Sequence, residues 1–168
     1  MQEEVAKELA VLMGKKLWVC RRAADMATFQ FGSRTEITDY FGRPGSVGEY
    51  ALHVQCDWRL VREDGIVVSR KDLCYPSDYN GEEIPSEFDW DKDPNRRDRL
   101  LAVLFEGDRE FAVQSVDAGV FGSFRINFDG GLMLEVFPDD SVANEHWRLL
   151  SPTTEKPHFV FSNEATKI

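Results

Sequence analysis

Between Ser123 and Phe137 the chain reads Ser-Phe-Arg-Ile-Asn-Phe-Asp-Gly-Gly-Leu-Met-Leu-Glu-Val-Phe, and this stretch restricts the fold more than any other. Apolar residues alternate on both sides of Asp129-Gly130-Gly131, the pattern of two antiparallel strands around a tight turn. A two-residue turn at Asp129-Gly130 would set Ile126 opposite Met133 and Phe124 opposite Glu135, mixing the faces. A three-residue loop over 129–131 sets Phe128 opposite Leu132, Ile126 opposite Leu134 and Phe124 opposite Val136. All six then share one face, and Arg125 meets Glu135 on the other. A slip of one residue inverts every side chain, so burial selects the three-residue loop.

A second strand signal lies at 49–61, where Tyr50, Leu52, Val54, Cys56, Trp58 and Leu60 alternate with Glu49, Ala51, His53, Gln55, Asp57 and Arg59. Further strands are expected near 16–22, 26–31, 66–69, 110–116 and 146–150, with a last one near 158–162, and a kink near Asp57. Val5, Leu9, Leu12 and Met13 fall at helical spacing before Gly14. A second helix is expected from Asp93 as N-cap, with Pro94 at its first position and Gly107 beyond its end. The competing reading of that region is a hairpin of 100–106 with 110–116.

The elements recur in order. Leu9-Ala10-Val11-Leu12 returns as Leu101-Ala102-Val103-Leu104, Trp58-Arg59-Leu60 as Trp147-Arg148-Leu149, and Val67-Val68-Ser69 as Val160-Phe161-Ser162. The sequence therefore predicts a β-rich α+β fold. Its unit, a helix followed by antiparallel strands, is duplicated with approximate two-fold pseudosymmetry. Repeat 1 spans about 1–74, an acidic linker 75–93 and repeat 2 about 94–168, packed as one domain. The copies differ in two loops: a glycine-rich excursion from Gly32 to Gly48, and Pro138–Asn144. Long loops that depart from a repeat are where function tends to sit.

The chain carries 30 acids and 20 bases. Residues 75–93 hold seven acids against Lys92 alone, whereas residues 1–74 balance at eleven of each. Such a charge opposes nucleic-acid binding, which rests on neutralising phosphates. No apolar run reaches the roughly 20 residues of a membrane span, and the acidic N-terminus lacks the features of a secretory signal. Cys20, Cys56 and Cys74 form an odd set, suited to reduced thiols and a cytoplasmic location.

No stretch matches a catalytic motif. Asp89-Trp90-Asp91-Lys92-Asp93 begins like a calcium loop, but Pro94 and Leu100 stand where glycine and a bidentate glutamate belong. Gly42–Gly48 lacks the lysine and hydroxyl of a phosphate cradle. His53 and Cys56 point to opposite faces of a strand, so Cys56 reads as a core thiol; no metal and no cofactor are expected. His146 and His158 read as surface histidines beside Trp147 and Phe159.

Gly131–Pro138, Glu145–Leu149 and His158–Val160, together with Leu52–Leu60, resemble a recurrent pattern in small uncharacterised bacterial proteins. Some proteins of that kind are neighbours or immunity partners of bacterial toxins. The resemblance implies no activity and assigns no functional residue. Three functional expectations follow. The first is a non-catalytic, immunity-like protein that binds a basic partner through Tyr79, Glu82, Glu83, Phe88, Asp89, Trp90 and Asp91, aromatic anchors among acids. The second is a small-molecule site or an enzyme at the junction of the repeats, built from His53, Asp57, Arg59, His146 and Arg148. The third is a structural subunit of an assembly.

Overall fold

Alternation of apolar residues, rather than helix propensity, organises this chain. The computed structural model describes residues 1–163. Ten strands form one antiparallel sheet: β1 (Lys16–Ala23), β2 (Met26–Thr38), β3 (Pro44–Val54), β4 (Asp57–Arg62), β5 (Gly65–Ser69), β6 (Phe111–Ala118), β7 (Phe124–Phe128), β8 (Met133–Phe137), β9 (Glu145–Leu150) and β10 (Phe159–Ser162). Two short helices, α1 (Gln2–Leu9) and α2 (Arg96–Leu104), accompany it. The strand order is β10-β9-β3-β2-β1-β6-β7-β8-β4-β5. Renumbering each strand by five turns this order into its own reverse.

The connections explain the order. Three strands run as a meander in each half, β1-β2-β3 and β6-β7-β8. The chain then crosses over, so that hairpin β4–β5 adds to β8 and hairpin β9–β10 adds to β3. The sheet curls on itself. Phe29 of β2 and Trp58 of β4 lie five strands apart, about 24 Å on a flat sheet, yet their rings meet edge to face at 5.2 Å. Phe124 of β7 and Trp147 of β9, also five strands apart, meet at 4.9 Å. One hydrophobic cluster therefore draws on both halves.

The hairpin β7–β8 has the expected register: Phe124 faces Val136, Ile126 faces Leu134, and Arg125 faces Glu135. The Phe128 N–H donates to the Leu132 carbonyl across the 129–131 loop. Gly130 and Gly131 take positive φ of 66° and 71° there, a conformation in which a Cβ would be strained.

Other expectations need correcting. Segment 49–61 is two strands, not one kinked strand. The break falls at Gln55-Cys56, where the chain leaves one half of the sheet for the other. The glycine-rich excursion Gly32–Gly48 is not a long loop: β2 and β3 continue as a paired arm from Arg34↔Gly48 to Thr38↔Pro44. A bulge after Phe31 bends this arm over β1, where the Arg34 guanidinium lies 4.6 Å from the Trp18 ring. Helix α1 ends at Leu9 and passes into a 3-10 turn over Ala10–Leu12, leaving Met13 exposed. The cap of α2 is Asn95 rather than Asp93, because the Asn95 side chain accepts from the Asp98 N–H. Since 96–104 is helical, the competing hairpin of 100–106 does not form.

Candidate functional site

Among the described residues, two regions gather chemistry-bearing side chains: the acidic segment 75–93, and a cavity where the two crossovers pass each other.

Segment 75–93 has irregular backbone that is nonetheless tied down. A bridge links Pro76 to Asn95, the Arg96 N–H donates to the Tyr75 carbonyl, and Tyr75 and Tyr79 pack at 4.8 Å. Asp89 pairs with Lys92 at 2.6 Å, and Asp91 accepts from Arg22 of β1 at 2.8 Å. Asp89 also accepts the Asp91 N–H, and Asp93 the Asp89 N–H, so these acids brace their own loop. Tyr79 and Phe88 are half-buried, Trp90 is 36% exposed, and Glu82 and Glu83 are exposed. Among the described residues neither Glu82 nor Glu83 enters an ion pair.

The residues expected at the repeat junction separate into four groups. His53 and Arg148 face each other across β3 and β9. Burial and the neighbouring Arg148 charge lower the His53 pKa, and Glu145 binds Arg148 at 2.6 Å. Arg59 turns away to Glu135 at 2.6 Å, where Arg125 joins from the other side at 2.7 Å. Asp57 sits with Arg70 and Lys71. His146, expected at the surface, is 2% exposed, because the crossover and Phe161 cover it. His158 is exposed and lies outside β10.

His146 instead lines a cavity of about 340 Å³ with Asp25, Gln55, Cys56, Arg70, Asp139 and Glu145 among its neighbours. The backbone builds it. The Gln55 and Cys56 N–H groups both donate to the His146 carbonyl, at 2.8 and 3.2 Å, where the β3–β4 crossover passes β9. The Asp57 N–H donates to Asp139 Oδ1 at 3.2 Å, fastening the Pro138–Asn144 loop to the other crossover. A second depression, lined by Asp57 and Arg59, shares Arg70 and Asp139 with this cavity. Burial pushes the Cys56 thiol up to about 12, with the Asp139 carboxylate adding to the effect. A thiol held protonated and 3% exposed does not suit a nucleophile.

Sequence reasoning missed Asp139, although the Pro138–Asn144 insertion was singled out and is the signal that leads to it. It also missed the tip of the β2–β3 arm. Tyr40 and Phe41 are 98% and 76% exposed there, packed edge to face, on a turn capped by Asp39. The chain matches no known family model, no characterised protein and no solved structure.

Proposed function

We propose that this chain is a non-catalytic protein-binding protein, immunity-like in recognising a basic partner through segment 75–93. The observation that carries the reading is the braced presentation of Tyr79, Phe88 and Trp90 beside Glu82 and Glu83, two exposed carboxylates with no ion pair among the described residues. Aromatic groups held at the surface lose little conformational freedom on binding, and an unneutralised acidic field speeds encounter with a basic surface. The exposed Tyr40–Phe41 tip is a second aromatic pair presented at the surface. Asp89 and Asp91 serve the loop itself, so recognition falls to Glu82 and Glu83. Three free thiols support a reducing compartment, the cytoplasm.

The same proposal treats the chain as an internal duplication. The strand order that reverses under exchange of β1–β5 with β6–β10 supports it, as do the matched edge-to-face pairs Phe29–Trp58 and Phe124–Trp147. A second reading, a small-ligand site at the junction of the copies, is favoured by the cavity between the crossovers.

The test is a pulldown from native lysate with the whole chain as bait, at low and high salt, using wild type and the double variant Glu82→Lys/Glu83→Lys. One dominant basic partner, lost at high salt and at least tenfold depleted by the double variant, is the expected result. A partner retained equally by the variant sinks the assignment to segment 75–93.

A further inference from the structure

We propose that Cys56, Asp139 and His146 form a site for one divalent transition metal ion of the zinc type. A sulfur, a carboxylate oxygen and a ring nitrogen from these residues lie within 4.8 Å of one another. A tetrahedral ion with bonds of about 2.0–2.3 Å holds its donors roughly 3.5 Å apart, so closure needs a movement on the order of 1 Å. Asp139 can supply that movement, because it stands on the exposed Pro138–Asn144 loop. The other two donors are fixed to each other by the paired N–H groups of Gln55 and Cys56 on the His146 carbonyl.

An independent observation points to a ligand. His146 is 2% exposed, and its Nε2 is buried with no hydrogen-bond partner among the described residues. Buried imidazole nitrogens are ordinarily satisfied, so an orphaned one is open to a ligand. Charge favours a cation: Asp25, Asp139, Asp140 and Glu145 line the cavity, and with Asp25 paired to Arg70 and Glu145 to Arg148, Asp139 and Asp140 carry the negative charge left over. Arg70 lies 2.8 Å from Asp25 and 3.4 Å from Asp57 but 3.8 Å from Asp139, so it is engaged elsewhere before it competes for the third donor.

The donor set selects the metal. Thiolate and imidazole suit zinc and cobalt(II), whereas calcium and magnesium take oxygen donors; the ion displaces the Cys56 thiol proton, which leaves to solvent as the sulfur–metal bond forms. Three protein ligands leave a fourth tetrahedral position open toward the cavity, where water or a small anionic ligand would bind. Nothing in this assignment depends on segment 75–93, so the two proposals stand or fall separately.

The experiment is a titration of the metal-stripped, reduced full chain with cobalt(II), followed by zinc. One cobalt per chain is expected, with near-ultraviolet thiolate-to-cobalt charge transfer that zinc abolishes. Cys56→Ser removes this band, while Cys74→Ser, at an exposed thiol, keeps it. Asp139→Asn retains an acceptor for the Asp57 N–H and lowers cobalt affinity at least tenfold, testing the site without depending on a core substitution. Absence of the charge-transfer band in the wild-type chain overturns the proposal. So does a band that survives Cys56→Ser, or an affinity unchanged by Asp139→Asn.

Discussion

Glu135 shows how single residues take their roles from the sheet. Its side chain is 8% exposed between Arg59 of β4 and Arg125 of β7, both roughly half exposed. Burial raises its pKa, but hydrogen bonds from the two guanidinium groups outweigh that and leave it below the ordinary carboxylate value. A carboxyl with a depressed folded pKa contributes stability above its unfolded value, and that contribution is lost as pH falls through the folded one. Glu135→Gln is therefore expected to destabilise by about 1–2 kcal/mol at pH 7, a figure discounted for the solvent around both arginines. Urea melts at pH 7 and pH 3 check this: the gap to wild type should shrink at the lower pH, and a constant gap would refute the ion-pair account. Arg125 opposite Glu135 was readable from alternation alone. The arrival of Arg59 was not, because it depends on the crossover that brings β4 beside β8.

At the scale of elements, the arm formed by β2 and β3 depends on one close approach. A Cβ at Gly48 would lie 2.5 Å from the Phe31 carbonyl oxygen and 2.7 Å from the Phe31 nitrogen, backbone atoms that cannot move aside cheaply. The Gly48 N–H meanwhile donates to the buried Gln30 side chain at 2.8 Å. Gly48→Ala should cost about 2 kcal/mol or more and free the arm from Trp18. A thermal melt together with the fluorescence of that indole checks it, and an unchanged melting temperature would show that the bulge tolerates a side chain. Strand positions were largely legible because period-two alternation survives in short segments: Leu52, Val54, Cys56, Trp58 and Leu60 are all buried. What the pattern hid was continuity. The alternation runs without interruption through Gln55-Cys56 although the chain changes neighbours there, since the inward face stays inward on both sides of the crossing. In the arm the reverse holds. Gly42, Gly45 and Gly48 read as a loop by composition, yet backbone pairing from Arg34 to Pro44 needs no apolar side chains. Asp139 escaped for a third reason: its position next to Cys56 is set by one hydrogen bond from a distant backbone amide, which no local pattern encodes.

Across the whole molecule, the exchanged hairpins tie the two halves together. Trp58 belongs to the first half of the chain but pairs with Val136 of the second, and Trp147 pairs with Val54 of the first. Neither half can lose its meander without exposing a tryptophan from the other, so equilibrium unfolding should occur in a single transition. Tryptophan fluorescence and far-ultraviolet circular dichroism should give coincident urea curves. Two separated transitions would mean that the halves are independent units. The same exchange has a consequence during synthesis. A ribosome adding roughly 5–20 residues per second completes hairpin β4–β5 several seconds before β8, its partner in the sheet, has been made. Through that interval the nascent chain offers an unpaired strand edge and an uncovered indole. A neighbouring nascent chain on the same messenger presents the matching half-built sheet, so misassembly between siblings is the hazard this topology carries from birth.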